Sequence, residues 1–253
     1  MKTALLPLGP NCAKIGSGVT PRGGDSVYLQ DGVSLIRSQN VYNMDFALSG
    51  LAHIDEKQAE DMQGVEVLPD DILLNITGDS VARCCRVPQT VLPARVNQHV
   101  AIIRPKPDKF DASFLMYYLV SPQMQAYMLS IAGSGGTRKA LTKNMIEKFA
   151  IPAPDVKHQK QIADTLSAYD DLIENNQRRI KLLEESARLL YREWFVHLRF
   201  PGHERVKIKD SIPEGWAKLP LSAICQDVRE QVNPQEIQSD TPYIGLEHMP
   251  RRA

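Results

Sequence analysis

Three short runs place side chains able to read nucleic-acid bases where a strand meets a loop: Arg37-Ser38-Gln39-Asn40, Asn75-Ile76-Thr77-Gly78-Asp79 and Arg95-Val96-Asn97-Gln98-His99. Arginine pairs with O6 and N7 of guanine, asparagine or glutamine pairs with N6 and N7 of adenine, and serine, threonine and backbone amides hold phosphates. A fourth run, Gly135-Gly136-Thr137-Arg138-Lys139, offers two unshielded glycine amides, a hydroxyl and two cations to one phosphate. Each run also has a plainer structural role open to it. Asn75 and Asn97 can close turns, Arg83 can snorkel from an edge strand, and the glycines can form a flexible connector.

Signals for covalent or metal chemistry are missing from the sequence. There is no dinucleotide-binding glycine fingerprint, no phosphate-binding Walker loop, no His-Glu-x-x-His, and no Asn/Asp-Pro-Pro-Tyr box of the kind an amino-methyltransferase needs. The six histidines are scattered without metal-ligand spacing, and the four cysteines, Cys12, Cys84, Cys85 and Cys225, form no Cys-x-x-Cys pair. The expectation is a non-catalytic chain that binds no metal and carries buried free thiols.

Charge points the same way as the polar runs. Lys and Arg total 30 and Asp and Glu total 30, so the formal net charge is zero and indiscriminate polyanion binding is disfavoured. The distribution is uneven. From His53 to Asp71, Asp55, Glu56, Glu60, Asp61, Glu66, Asp70 and Asp71 face only Lys57, a stretch expected to lie in water. From Ser80 to Lys109 the sign reverses, with Arg83, Arg86, Arg95, Arg104, Lys106 and Lys109 against Asp108. Arg138, Lys139, Lys143 and Lys148 form a second basic patch. No apolar run approaches the ~18–20 residues of a membrane span and no signal core follows Met1, so the expected location is the cytosol.

The elements that must position these groups are legible in part. Val33–Arg37, Asp71–Ile76, Val81–Val87 and His99–Arg104 read as strands. Asp111–Ile131 reads as two helices restarted at Pro122, with Phe114, Leu115, Tyr118, Leu119, Met124, Tyr127, Met128 and Ile131 as core. A short helix over Thr142–Lys148 and a strand over Phe149–Pro152 close an α/β unit at about residues 1–154.

A long helix follows over about 155–198. Ile162, Leu166, Tyr169, Ile173, Asn176, Ile180, Leu183, Ala187, Leu190 and Trp194 step by four and three, the 3.5-residue period of a coiled-coil seam. Pro152 and Pro154 prevent backward extension, Asp155 is placed to cap, and Asn176 is a polar seam residue that fixes register. No second segment carries a matching pattern, so the seam is expected to pair with another chain, most simply a second copy.

Beyond Pro201-Gly202, residues 199–253 hold a linker and a partial repeat. Leu6-Pro7-Leu8 matches Leu219-Pro220-Leu221, and at the same offset Cys12, Ile15, Val19 and Pro21 meet Cys225, Val228, Val232 and Pro234. With a five-residue shortening, Leu35-Ile36 aligns with Tyr243-Ile244. Nothing in the repeat corresponds to residues 43–154, so an incomplete second domain is expected.

Taken together these residues resemble the specificity subunit of type I restriction-modification systems. The likeness lies in Gly18-Val19-Thr20-Pro21, Asp71-Ile72-Leu73-Leu74-Asn75-Ile76-Thr77-Gly78, Asn97-Gln98-His99-Val100, Gly136-Thr137-Arg138-Lys139-Ala140-Leu141, the stretch from Ile151-Pro152-Ala153-Pro154 to Glu193-Trp194-Phe195-Val196, and Ile212-Pro213-Glu214-Gly215-Trp216. The resemblance implies a target-recognition domain of mixed sheet and helices followed by a spacer helix, here at half length. It implies a subunit that reads half of a bipartite site in double-stranded DNA and docks methyltransferase subunits and a restriction/translocase subunit. S-adenosylmethionine, ATP and Mg are then expected in those partners and none in this chain. The DNA-binding candidates are Thr20, Arg22, Arg37, Gln39, Asn75, Thr77, Arg83, Arg95, Gln98, Thr137, Arg138 and Lys139. Two rival readings are an autonomous DNA methyltransferase and a scaffold or decoy that docks methyltransferase subunits without reading DNA.

Overall fold

The computed structural model describes residues 4–133, 139–228, 233 and 241–249. In chain order its elements are β1 (Leu5–Pro7), α1 (Leu8–Asn11), β2 (Cys12–Ser17), β3 (Val33–Ile36), β4 (Ala52–Ile54), α2 (Glu56–Asp61), β5 (Glu66–Val67), β6 (Ile72–Asn75), β7 (Cys84–Arg86), β8 (Ala94–Val96) and β9 (Val100–Pro105). Then come α3 (Ala112–Val120), α4 (Pro122–Gly133), α5 (Lys143–Glu147), β10 (Ala150–Pro152), α6 (Val156–Tyr191) and the hairpin strands β11 (Ile208–Lys209) and β12 (Ile212–Pro213). The chain divides into two units, residues 1–177 and 178–253.

Strand alternation decides the layering of the first unit. Successive strand side chains point to opposite faces, so Ile72, Leu74, Ala101 and Ile103 enter one core while Leu73, Val100 and Ile102 enter another. The first core is completed by Phe110, Leu115, Leu119, Met124 and Met128 from the helical side. The second is completed by Leu35, Ile36, Ala94 and Val96 of a second sheet. The sheet β2-β9-β6-β7 is therefore covered on both faces, by helices and by the sheet β4-β3-β8-β5, in which β3 and β8 run parallel. This is the expected mixed α/β architecture followed by a long helix.

Helix boundaries follow local chemistry. Asp111 caps α3 by accepting from the Phe114 amide at 2.9 Å, Thr142 caps α5 through the Met145 amide at 3.3 Å, and Asp155 accepts from the His158 amide at 3.0 Å at the start of α6. Ser121 is extended between α3 and α4, where Pro122 takes the first helical position.

Two expectations need correction. The strand expected over Val81–Val87 pairs only at Cys84–Arg86, because residues 78–83 form a turn in which Gly78 and Ala82 take φ of 76° and 74° and the Arg83 amide returns to Ser80 O. The acidic stretch does not lie wholly in water. Asp71 is fully buried and accepts two hydrogen bonds of 2.7 Å from Arg104, while Glu66 reaches Arg95 at 3.5 Å and Asp70 reaches Arg86 at 3.8 Å. The acidic and basic runs partly neutralise one another across β5, β6, β8 and β9.

In the second unit, Trp216 stacks on Phe200 at 5.2 Å and meets Phe195 at 5.7 Å, and Phe195 meets Tyr191 at 5.1 Å. The repeated segments form matching turns. Arg37 N donates to Asn40 Oδ1 at 3.1 Å across a 3-10 turn at Ser38–Asn40, and Gly245 N donates to His248 Nδ1 at 3.0 Å across a 3-10 turn at Leu246–His248. Burial differs sharply. Leu35 and Ile36 are wholly buried, whereas their counterparts Tyr243 and Ile244 are 79% and 74% exposed.

Candidate nucleic-acid interface

The ends of β3 and β6 and the loop before β9 converge on an open cleft of about 480 Å³, lined by Ser38, Gln39, Tyr42, Thr77, Gly78, Asp79, Ser80, Arg83 and His99. Backbone bonds set its walls. Asn75 N donates to Arg83 O at 2.8 Å, Ile76 N to His99 O at 3.0 Å, and Leu141 N to Ile76 O at 2.8 Å. Gly78 N donates to Lys139 O at 3.1 Å, which brings the end of the expected phosphate loop beside the 78–83 turn. At the cleft the Arg83 guanidinium carbon lies 4.8 Å from the centre of the Tyr42 ring, a cation–π contact that places the cation over the ring.

A chain of side-chain hydrogen bonds links this cleft to a smaller depression lined by Thr20, Pro21, Arg22, Gln58 and Asp61. Thr20 Oγ1 donates to Gln98 Oε1, Gln98 Nε2 lies 3.0 Å from His99 Nε2, and His99 Nδ1 lies 2.7 Å from Thr77 Oγ1. With the Gln98 amide donating, a neutral His99 accepts at Nε2 and presents its N–H to Thr77. The loop that carries Thr20 is also seated by backbone bonds: Gly18 N bonds Val100 O at 3.0 Å and Val19 N bonds Val96 O at 3.2 Å. A Cβ on Gly18 would fall 1.9 Å from Val96 O, so no other residue fits that approach.

The structure thus gathers Thr20, Arg22, Gln39, Thr77, Arg83, Gln98 and the Lys139 backbone along one rim. Arg37 stands next to it, 5.0 Å over the Tyr28 ring, with Nη2 donating to Gly50 O at 2.7 Å. Asn75 and Arg95 are placed differently. Asn75 is buried and donates to Ser38 O and Val41 O, holding the loop that carries Gln39. Arg95 is buried and donates to Ala59 O and Ala94 O, tying β8 to α2. Thr137 and Arg138 lie outside the described residues. Tyr42 and His99 were missed as site residues. Their signal was adjacency, since Tyr42 follows the Arg37–Asn40 run and His99 ends the Arg95–His99 run.

Burial pushes the Cys12 and Cys85 thiols up to about 12 and the Cys84 thiol well above its ordinary value, so these three stay protonated. Among the described residues no group of three or more His, Cys, Asp and Glu is gathered as a metal site, and no helix is long and apolar enough to cross a membrane.

Along α6 the seam side chains face solvent. Ile162, Leu166, Tyr169, Ile173, Ile180, Leu183 and Leu190 are exposed, reaching 68% at Leu183, as are Asn176 and Ala187, while Trp194 in the turn that follows is half-buried.

The family model for the type I restriction modification DNA specificity domain matches residues 66–185, from β5 through most of α6. This stretch is similar to the specificity domain of type I systems. Its curated relatives are specificity subunits: the MjaIX subunit of Methanocaldococcus jannaschii is 31% identical over 165 residues, covering 62% of this chain and 38% of that one. The HindI subunit of Haemophilus influenzae is 30% identical over 102 residues, 40% of this chain and 22% of that one. This chain thus spans less than half the length of the specificity subunits it resembles. In fold it is similar to the S subunit of a type I system from M. genitalium, with TM-score 0.54 at 14% identity over 76% of this chain and 46% of that one. A chain from a structure of type I R-M complex assembly gives TM-score 0.54 at 20% identity over 75% and 43%.

Proposed function

We propose that this chain is the sequence-reading component of a type I restriction-modification assembly, recognising one half of a bipartite site in double-stranded DNA. The observation that carries this reading is the cleft of Gln39, Tyr42, Thr77, Arg83 and His99, set in a unit whose sequence matches the specificity domain. Gln39, Arg83 and Gln98 are the base readers, and Lys139 with Thr137 and Arg138 forms the phosphate clamp. The chain performs no chemistry itself. Methyltransferase and restriction/translocase subunits dock on it and supply S-adenosylmethionine, ATP and Mg.

The seam of α6 pairs with a second copy, so that two specificity domains read two half-sites. Support comes from the exposure of Ile173, Ile180, Leu183 and Leu190, since each buried side chain of this kind contributes about 1.5–3 kcal/mol. The test is methylation sequencing of DNA after co-expression with the cognate methyltransferase. A palindromic, interrupted methylated motif that disappears when the chain is omitted is the expected result. Methylation that is unchanged by omission, or by Gln39→Ala with Arg83→Ala, overturns the proposal.

A further inference from the structure

The N-terminal part of α6 is joined to the first unit at two separate places, both through α3. At the first, Gln159 is wholly buried although its side chain is an amide. Its Oε1 accepts from Asp111 N at 3.0 Å, and its Nε2 donates to Lys109 O at 2.9 Å and Pro154 O at 2.8 Å. Two of the groups it satisfies, at Lys109 and Asp111, are backbone just before α3, whose cap is that same Asp111, and the third, Pro154 O, lies just before α6 itself. At the second, Tyr117 Oη donates to Asp170 Oδ2 at 2.6 Å. Between them Ala163 is buried, small enough for the helix to lie close.

Two attachments do what one cannot. A helix held at a single point pivots, whereas points eleven residues apart, about 16 Å along the axis, define a direction. Burying an amide with three hydrogen-bond partners is costly to undo, because each partner left unpaired in the interior is penalised. The contacts sit in the N-terminal half of α6, and the 21 residues after Asp170 extend a further ~32 Å along the helix axis. Over that length a change of about 10° in direction displaces the tip by about 5 Å, more than the ~3.4 Å between successive base pairs.

We propose that Gln159 and the Tyr117–Asp170 pair are positioning residues that fix the direction of α6, and through it the spacing between the two half-sites read by paired copies. The second clause rests on the function proposed above; the first does not. Neither residue touches DNA in this account, so their effect is on which spacer is accepted and not on how well a half-site is bound.

The test uses the full chain with Cys225→Ser, Lys57→Cys and Glu174→Cys, spin-labelled at positions 57 and 174 and diluted into an excess of unlabelled chain, so that a pair of copies carries at most one labelled member. The parent is expected to give one narrow distance distribution. Tyr117→Phe and Gln159→Ala should each at least double its width, while Asp170→Asn, which still offers an acceptor to Tyr117, should keep it narrow. On duplexes carrying two half-sites, the parent's preference for its best spacer over spacers one base pair longer or shorter should fall by about 10-fold or more in Tyr117→Phe, the worth of roughly one hydrogen bond to a charged acceptor. Affinity for a single half-site should be unchanged. Unchanged width in both variants overturns the anchor, and equal weakening on every spacer makes these residues merely structural. If the parent binds no DNA, the proposed function fails while the distance distributions still decide the anchor.

Discussion

The sheet unit and the long helix treat their buried and exposed groups in opposite ways. In the first, even a fully buried carboxylate is answered, Asp71 by Arg104, and both faces of the central sheet are covered. In the second, Leu183 and its neighbours carry the apolar surface of a core with nothing over it among the described residues. The difference teaches where each region's specificity lies: one covers its own apolar surface and offers a polar cleft, the other leaves an apolar seam open.

The largest effect should come from the incomplete half. Replacing Ile173 and Ile180 by Asp removes four apolar side chains from a paired seam, about 6 kcal/mol or more, and should convert the dimer to monomer in light scattering at tens of micromolar. Circular dichroism should stay helical. A parent chain that is itself strictly monomeric at that concentration, with its helix intact, would sink the seam.

Next in size is the self-sufficient half. Asp71→Ala leaves Arg104 without its carboxylate and should lower unfolding stability by about 3–5 kcal/mol in urea, with self-association of the folded fraction unaffected. A loss below about 1 kcal/mol would mean the pair is not what closes that side of the core.

Within the cleft, Arg83→Ala should cost about 1–3 kcal/mol on the preferred sequence and relax the preference at one position. Arg138→Ala with Lys139→Ala should instead weaken binding to every sequence and reduce the salt slope by about 2. Fluorescence anisotropy across a salt series separates them, and identical behaviour of the two variants refutes the division between base readers and phosphate clamp.

The smallest effect is on pH. Partial burial and then the hydrogen bond to Asp170 raise the Tyr117 hydroxyl from 10.0 to about 12. A group raised on folding contributes stability that is fully present below its unfolded value and lost as pH rises through the folded one. The Tyr117 contribution should therefore fade between pH 10 and 12, visible as phenolate absorbance that appears later than in an unfolded control. Coincident titration would remove the contact.

Much of this contrast was readable beforehand. The apolar period along α6, the restart at Pro122 and the Asp155 cap are local signals, set by spacing and by hydrogen bonds within one turn. Asp71 was misread because its partner Arg104 is 33 residues away, and a charged residue declares burial only once such a partner is known. Strands as short as β5 and β8 offer too few residues for alternation to register. Arg95 and Asn75 had the right chemistry for the cleft, yet the register of β8 and β6 turned them inward.

The cleft's scaffold and its lining belong to different parts of the chain's chemistry. Gly18, Asn75, Ile76, Gly78 and Leu141 hold the walls through main-chain amides, and these bonds do not depend on what side chains stand at 39, 83 or 98. Letters at those positions can be exchanged without resetting the frame that holds them, as type is changed in a fixed press. Under the proposed function, a population carrying this chain acquires new addresses in DNA by single substitutions at the rim, while any change at Gly18 jams the mechanism for every address at once.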